Sequence, residues 1–182
     1  MDDLVLAAAT HKAIGWGKKQ LAKAFEMTEL GELKTFVGVE VVRNRIPRTL
    51  LVSQPSSIER ILWDHGMQTC APVSTPIETG TRFEISPETY STTSEDMHRY
   101  QSVAGSLMYA MLGSCPDIAY AVGTVSKFCT NLNSQHWAAV KRICLYLAGT
   151  RNIGLAYGTR PSYEGYCDSE WRSREDRRST SG

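Results

Sequence analysis

The chain has 182 residues, 42% of them hydrophobic and 21% charged, with 20 Lys and Arg against 19 Asp and Glu for a formal net charge of +1. That is apolar material for a real core without disulfides or metals, and a balance too even for a nucleic-acid binder that works through overall charge, so phosphate contacts must come from local clusters. The cysteines Cys70, Cys115, Cys129, Cys144 and Cys167 form no C-x-x-C pair and the histidines lack ligand spacing, which argues against a zinc or disulfide framework.

In chain order, Leu4 to Ala9 is a short apolar run whose length suits a buried strand. Thr10 is placed to cap a helix reaching about Phe25, with Ile14, Leu21 and Phe25 on one side. Leu33 to Arg43, rich in Val and Phe, reads as one strand. A turn at Arg45-Ile46-Pro47-Arg48 then returns the chain through Leu50 to Val52. Ser53 to Ser57 breaks the pattern, and Ile58, Ile61 and Leu62 start a helix that stops by Gly66. From Ala71 to about Ser94 a stretch rich in Pro, Thr and Ser predicts a linker.

The next segment is helical. Val103, Leu107, Met108 and Met111 make one apolar stripe. Pro116 opens a second helix that continues through Ile118, Val122 and Val125. Ser134 is placed to cap a third helix, in which Trp137, Val140, Cys144 and Leu147 share a face and Gly149 provides the stop. Two short strands are predicted at Ile153 to Tyr157 and Glu164 to Asp168, before a polar, basic tail. No run approaches the roughly 18 apolar residues of a membrane span. Acids stand directly after Met1, where a secretory leader would be basic, so an intracellular protein is expected.

Several residues could carry chemistry. Asp2 and Asp3 are adjacent carboxylates; acids near a terminus are commonly solvated decoration, but at a strand turn such a pair can hold divalent metal. Asp168 closes a short strand, where an acid serves either as a turn former or as a metal carboxylate. Glu170, two residues on, would face the same way in a continued strand. Lysines and arginines gather at Lys12, Lys18, Lys19 and Lys23, at Lys141, Arg142 and Arg151, and most densely at Arg172, Arg174, Arg177 and Arg178. A solvated face is the ordinary reading of each cluster, and phosphate binding the alternative.

The order and wording of these blocks carry more than any one of them. Met1-Asp2-Asp3-Leu4-Val5-Leu6-Ala7-Ala8 resembles the end of the Tyr-x-Asp-Asp motif of copia-type retrotransposon reverse transcriptases. Phe25-Glu26-Met27-Thr28-Glu29-Leu30-Gly31, followed by Phe36-Val37-Gly38-Val39-Glu40-Val41, resembles the family's next block. Pro72-Val73-Ser74-Thr75-Pro76, Val103 through Tyr109, Pro116-Asp117-Ile118-Ala119-Tyr120 and His136-Trp137-Ala138-Ala139-Val140-Lys141-Arg142 fit in turn. Gly165-Tyr166-Cys167-Asp168-Ser169-Glu170-Trp171 is similar to the opening of the family's ribonuclease H domain. The resemblance covers nearly the whole chain.

What the resemblance implies is an α+β protein. Residues 1–52 would be the C-terminal part of a reverse-transcriptase palm with a primer-gripping hairpin, 53–150 a helical thumb and connection, and 151–182 the start of a ribonuclease H-like domain with an incomplete strand pair. Asp2 and Asp3 would match the paired palm carboxylates, as Mg²⁺ ligands for two-metal nucleotidyl transfer, and Asp168 the first metal-binding acid of the ribonuclease H site. Phe36, Val37 and Gly38 would hold the primer end, and Lys141, Arg142, Arg172, Arg174, Arg177 and Arg178 the nucleic-acid backbone. Template–primer and nucleotides would be the partners, in the cytoplasm (within a virus-like particle) or the nucleus. With half of the catalytic motif, the chain is expected to be a truncated, inactive piece of the polymerase. The alternative is a non-catalytic nucleic-acid-binding remnant or the product of a decayed element.

Overall fold

The computed structural model describes residues 4–81, 83, 93–130, 132–158 and 165, and within them the architecture is α+β, with five α-helices and a four-stranded antiparallel sheet. Leu4–Ala9, expected as a buried strand, is irregular and mostly exposed, Leu4 and Val5 included. An apolar run becomes a strand only where a ladder satisfies its backbone, and no described strand pairs with it. Thr10 caps α1 (His11–Ala24) as its chemistry predicts, its Oγ1 accepting from the Ala13 N–H at 3.2 Å. Yet α1 buries none of its residues, and Phe25 is left 64% exposed.

The run expected as one strand from Leu33 to Arg43 is a hairpin instead. β1 (Thr35–Phe36) reverses through Val37 and Gly38 into β2 (Val39–Asn44), with Phe36 paired to Val39. The two turn residues have φ of 48° and 72°, the left-handed geometry whose twist matches that of the flanking strands. β3 (Thr49–Ser53) returns through the expected turn, pairing Val41 with Val52 and Val42 with Leu51. β4 (Leu155–Tyr157) then adds to the far side of β3, so that the sheet order is β1-β2-β3-β4. Gly154 permits this approach, since a Cβ there would stand 2.4 Å from the Val52 carbonyl oxygen. The predicted partner strand, Glu164–Asp168, lies outside the described residues apart from Gly165.

The core is helical. In α2 (Pro55–Asp64) a proline opens the first turn and Ile58, Ile61 and Leu62 point inward. α3 (Ser94–Gly113) is capped by Thr93, whose Oγ1 accepts from the Asp96 N–H at 3.1 Å, and buries Tyr100, Val103, Ala104, Leu107 and Ala110 at helical spacing. Met108, expected on that stripe, sits at its edge and is 43% exposed. Pro116–Ile118 forms a single tight turn leading into α4 (Ala119–Ser126), which buries Ala121, Val122 and Val125.

α5 (Ser134–Thr150) starts at Ser134 itself, so its cap stands one residue before the predicted one. Asn133 caps it: the Oδ1 accepts from the N–H groups of Gln135 and His136, each at 3.0 Å, while the Asn133 N–H donates to His136 Nδ1 at 3.1 Å. This reciprocal pair satisfies donors that Ser134 alone would leave open. Gly149 does not stop α5, which runs on to Thr150; it admits Pro72, whose Cβ lies 2.9 Å from where a glycine Cβ would stand.

Side chains from α2 to α5 close one cluster running from Ile58 to Leu147. His136 stacks on Phe128 at 4.1 Å, and Tyr100 meets Trp137 edge-on at 5.3 Å while its hydroxyl donates to the Val125 carbonyl at 2.9 Å. The stretch predicted as a linker is tied to this body in its described part. Arg142 donates to Glu78 at 2.8 Å and to Thr75 at 3.0 Å, and Ile77 and Phe83 pack on the core. Proline excludes helix there, but it does not exclude packing.

Candidate nucleic-acid interface

Asp2, Asp3, Asp168, Arg172, Arg174, Arg177 and Arg178 all lie outside the described residues. The other sequence candidates fall in two places: Phe36, Val37 and Gly38 at the tip of the β1–β2 hairpin, and Lys141 with Arg142 on α5.

The hairpin tip is the more elaborate of the two. A β-branched residue at positive φ is unusual, and left-handed backbone costs an L-residue about 1–2 kcal/mol. Val37 nevertheless holds that conformation with its side chain 60% exposed. Hydroxyls from two helices meet it. The Tyr109 hydroxyl, on α3, donates to the Val37 carbonyl, and Ser57 Oγ, on α2, donates to the Gly38 carbonyl at 3.2 Å. Ser56 Oγ donates to the Glu40 carboxylate at 2.9 Å two residues further on. A Cβ on Gly38 would stand 2.9 Å from the Tyr109 hydroxyl oxygen and 3.2 Å from Ser57 Oγ. Only glycine suits both the angle and the space.

Tyr109, Ser56 and Ser57 escaped the sequence reading of the site. Tyr109 is 72 residues from Val37 and Ser57 is 19 from Gly38. No local pattern links them; the one visible signal was a glycine inside a valine-rich run.

Charge at the opposite end of the ribbon was also missed. Arg43, Arg45 and Arg48 cluster at the β2–β3 turn, all exposed. Arg45 is engaged by Glu32, and its guanidinium holds the Glu32 carboxyl below the usual carboxylate range. Among the described residues Arg43 and Arg48 have no ion-pair partner. On α5, Arg142 is occupied by Glu78 and Thr75, while Lys141 is exposed. The Lys18 ammonium on α1 pairs with Glu29.

The titratable groups inside the body are structural. Burial pushes the Cys144 thiol up to about 12. The hydrogen bond that Tyr146 donates to Asp117, reinforced by burial, pushes its phenol up to about 12. Among the described residues no group of three His, Cys, Asp or Glu could hold a metal ion, and no helix is long and apolar enough to cross a membrane.

Comparison with known proteins draws these features together. The family described as reverse transcriptase (RNA-dependent DNA polymerase) matches residues 1–79, a span that includes the whole β1–β3 ribbon and α2. All of this chain aligns at 38% identity with the retrovirus-related Pol polyprotein of a Nicotiana tabacum transposon, of which it spans 14%. All of it aligns at 30% identity with an uncharacterized mitochondrial protein of Arabidopsis thaliana, of which it spans 74%. A retrovirus-related Pol polyprotein from transposon RE1 of Arabidopsis thaliana is 32% identical over 97% of this chain and 12% of the polyprotein. No solved structure matches.

Proposed function

The chain belongs to the reverse transcriptases of copia-type retrotransposon Pol polyproteins, and from that premise we propose that its hairpin holds the primer end and its helical body tracks the template–primer backbone. The observation that carries this reading is the tip itself: Val37 and Gly38, inside the span matched by the reverse-transcriptase family, present an exposed, backbone-rich edge fixed by two helices. Exposed backbone held rigidly at a turn can follow a nucleic-acid strand without reading its sequence, as a polymerase must.

On this reading residues 1–52 serve as palm, 53–150 as thumb and connection, and 151–182 as the opening of a ribonuclease H-like domain. Arg43 and Arg48 on the ribbon and Lys141 on α5 contact phosphates, joined by Arg172, Arg174, Arg177 and Arg178. The action is intracellular, on an RNA or DNA template with primer and nucleotides.

Magnesium has a narrower place. Asp2 and Asp3 have the hard oxygen donors it prefers, and Asp168 offers one more. These three acids lie outside the described residues, and among the described residues no group of three His, Cys, Asp or Glu could hold the ion. We therefore assign no polymerisation step to them, and propose that the chain by itself binds template–primer without extending it.

Two measurements test this. Fluorescence anisotropy with a labelled RNA–DNA hybrid should show binding that weakens about tenfold or more between 50 and 200 mM salt, as counterions released by a few phosphate contacts require. Primer extension on a homopolymer template with Mg²⁺ should stay at background. Salt-independent retention, or extension abolished by Asp2→Ala, would contradict the first or the second part respectively.

A further inference from the structure

We infer that Tyr109 and Ser57 are positioning residues for the Val37–Gly38 turn, fastening it to α3 and α2 so that the ribbon tip and the helical body move as one unit. The inference rests on the proposed role of the ribbon in holding the primer end.

In a two-residue hairpin loop the carbonyls of the loop residues have no ladder partner, and ordinarily water satisfies them. Here two consecutive loop carbonyls accept from hydroxyls on two different helices. Tyr109 stands beside the buried stripe of α3, between Leu107, which is fully buried, and Ala110, which is also fully buried, and is itself 40% exposed. Its hydroxyl has solvent within reach and takes the carbonyl of Val37 instead, at a β-branched residue with positive φ. Strained backbone of this kind persists where surrounding contacts over-determine it, and it gathers at functional sites.

Gly38 completes the lock. With a Cβ in place, the hydroxyls of Tyr109 and Ser57 would both be crowded. Because one hydroxyl comes from each helix, a shift of α3 against α2 would change both bonds at once. The position of the primer end is thereby coupled to the packing of the helical body, and the turn does not flex on its own.

The test uses the full chain with Tyr109→Phe, Ser57→Ala, and Tyr109→Phe placed in a Val37→Asn background. Amide hydrogen exchange at Val37–Val39 is read beside the preference of each chain for a recessed-end RNA–DNA hybrid over a blunt one. Each lost hydroxyl should speed exchange at those amides by about fivefold, the scale of one hydrogen bond, and reduce the recessed-end preference while thermal unfolding stays in place. Asparagine is at ease at positive φ, so in the Val37→Asn background Tyr109→Phe should have a smaller effect on exchange. A merely structural tyrosine would not give that rescue.

Unchanged exchange and unchanged preference in both single variants would overturn the inference. A wild-type chain with no recessed-end preference would instead remove the functional reading beneath it, and the exchange data would still decide whether the two hydroxyls fasten the turn.

Discussion

The N-terminal part of the molecule, up to Val52, and the helical part from Ser53 to Thr150 are built on opposite terms. Every buried residue among those described falls between Ser53 and Leu147. The N-terminal part carries α1, with nothing buried, and a ribbon whose apolar residues are at most half-buried. Yet the reverse-transcriptase family match, residues 1–79, covers all of that exposed part and only the first helix of the core. The span that the reverse-transcriptase family matches is thus mostly not the span that holds the fold together.

The largest expected effect breaks the helical part. Leu107 is fully buried at the centre of α3, so Leu107→Ala should lower unfolding free energy by about 2–5 kcal/mol. Phe25→Ala, at a larger but exposed side chain, should stay within about 0.5 kcal/mol. Urea unfolding of the two variants measures the contrast, and equal losses would erase it.

Alkali should act on the same helical part. Burial raises the Cys144 thiol from its ordinary value of 9.0 to about 12. The unfolded chain therefore ionises first: the stability contributed by the neutral buried thiol is complete below 9.0 and is lost as pH rises toward about 12. A fall in melting temperature across that window, flattened by Cys144→Ala, is the expected result.

Smaller effects sharpen the ribbon side. Gly38→Ala must place a side chain at φ 72° against two hydroxyls, and should cost about 1–2 kcal/mol, with weaker hybrid binding than the loss of stability explains. Arg43→Ala touches no ion pair among the described residues. It should leave stability within about 0.5 kcal/mol while reducing the slope of log affinity against log salt by about 0.7–0.9, one phosphate contact. An unchanged slope would remove Arg43 from the interface.

How much of this was legible in the sequence follows the same division. The helical body was largely readable because its signals are local. Val103 and Leu107 recur at helical spacing, and Pro116 marks a start. Errors there fell at helix ends: Ser53 to Ser57 read as a break although α2 opens at Pro55, and Asn133 and Ser134 both have capping chemistry, so that only the reciprocal bond to His136 decides between them. The ribbon was read less well. Val37 at positive φ defeats any propensity rule, so Leu33 to Arg43 looked like one strand. β4 joins β3 across more than 100 positions, and the Tyr109 contact spans 72; such pairings leave no periodicity to find. Leu4–Ala9 failed for the same reason, since an apolar run does not state whether a partner strand exists. The resemblance thus pointed to Phe36–Gly38, the place proposed here for the primer end, while the helices that fasten that turn were legible only as helices.

The central claim is a stable helical body that presents a fixed ribbon to nucleic acid. Amide hydrogen exchange along the whole chain, with and without a recessed-end RNA–DNA hybrid, tests it most directly. Slow exchange should be concentrated in α2–α5 in both samples, with α1 fast, and the hybrid should add protection chiefly at Phe36–Val41. Protection gained only within α3–α5, or an α1 that exchanges as slowly as the segment around Leu107, would contradict it.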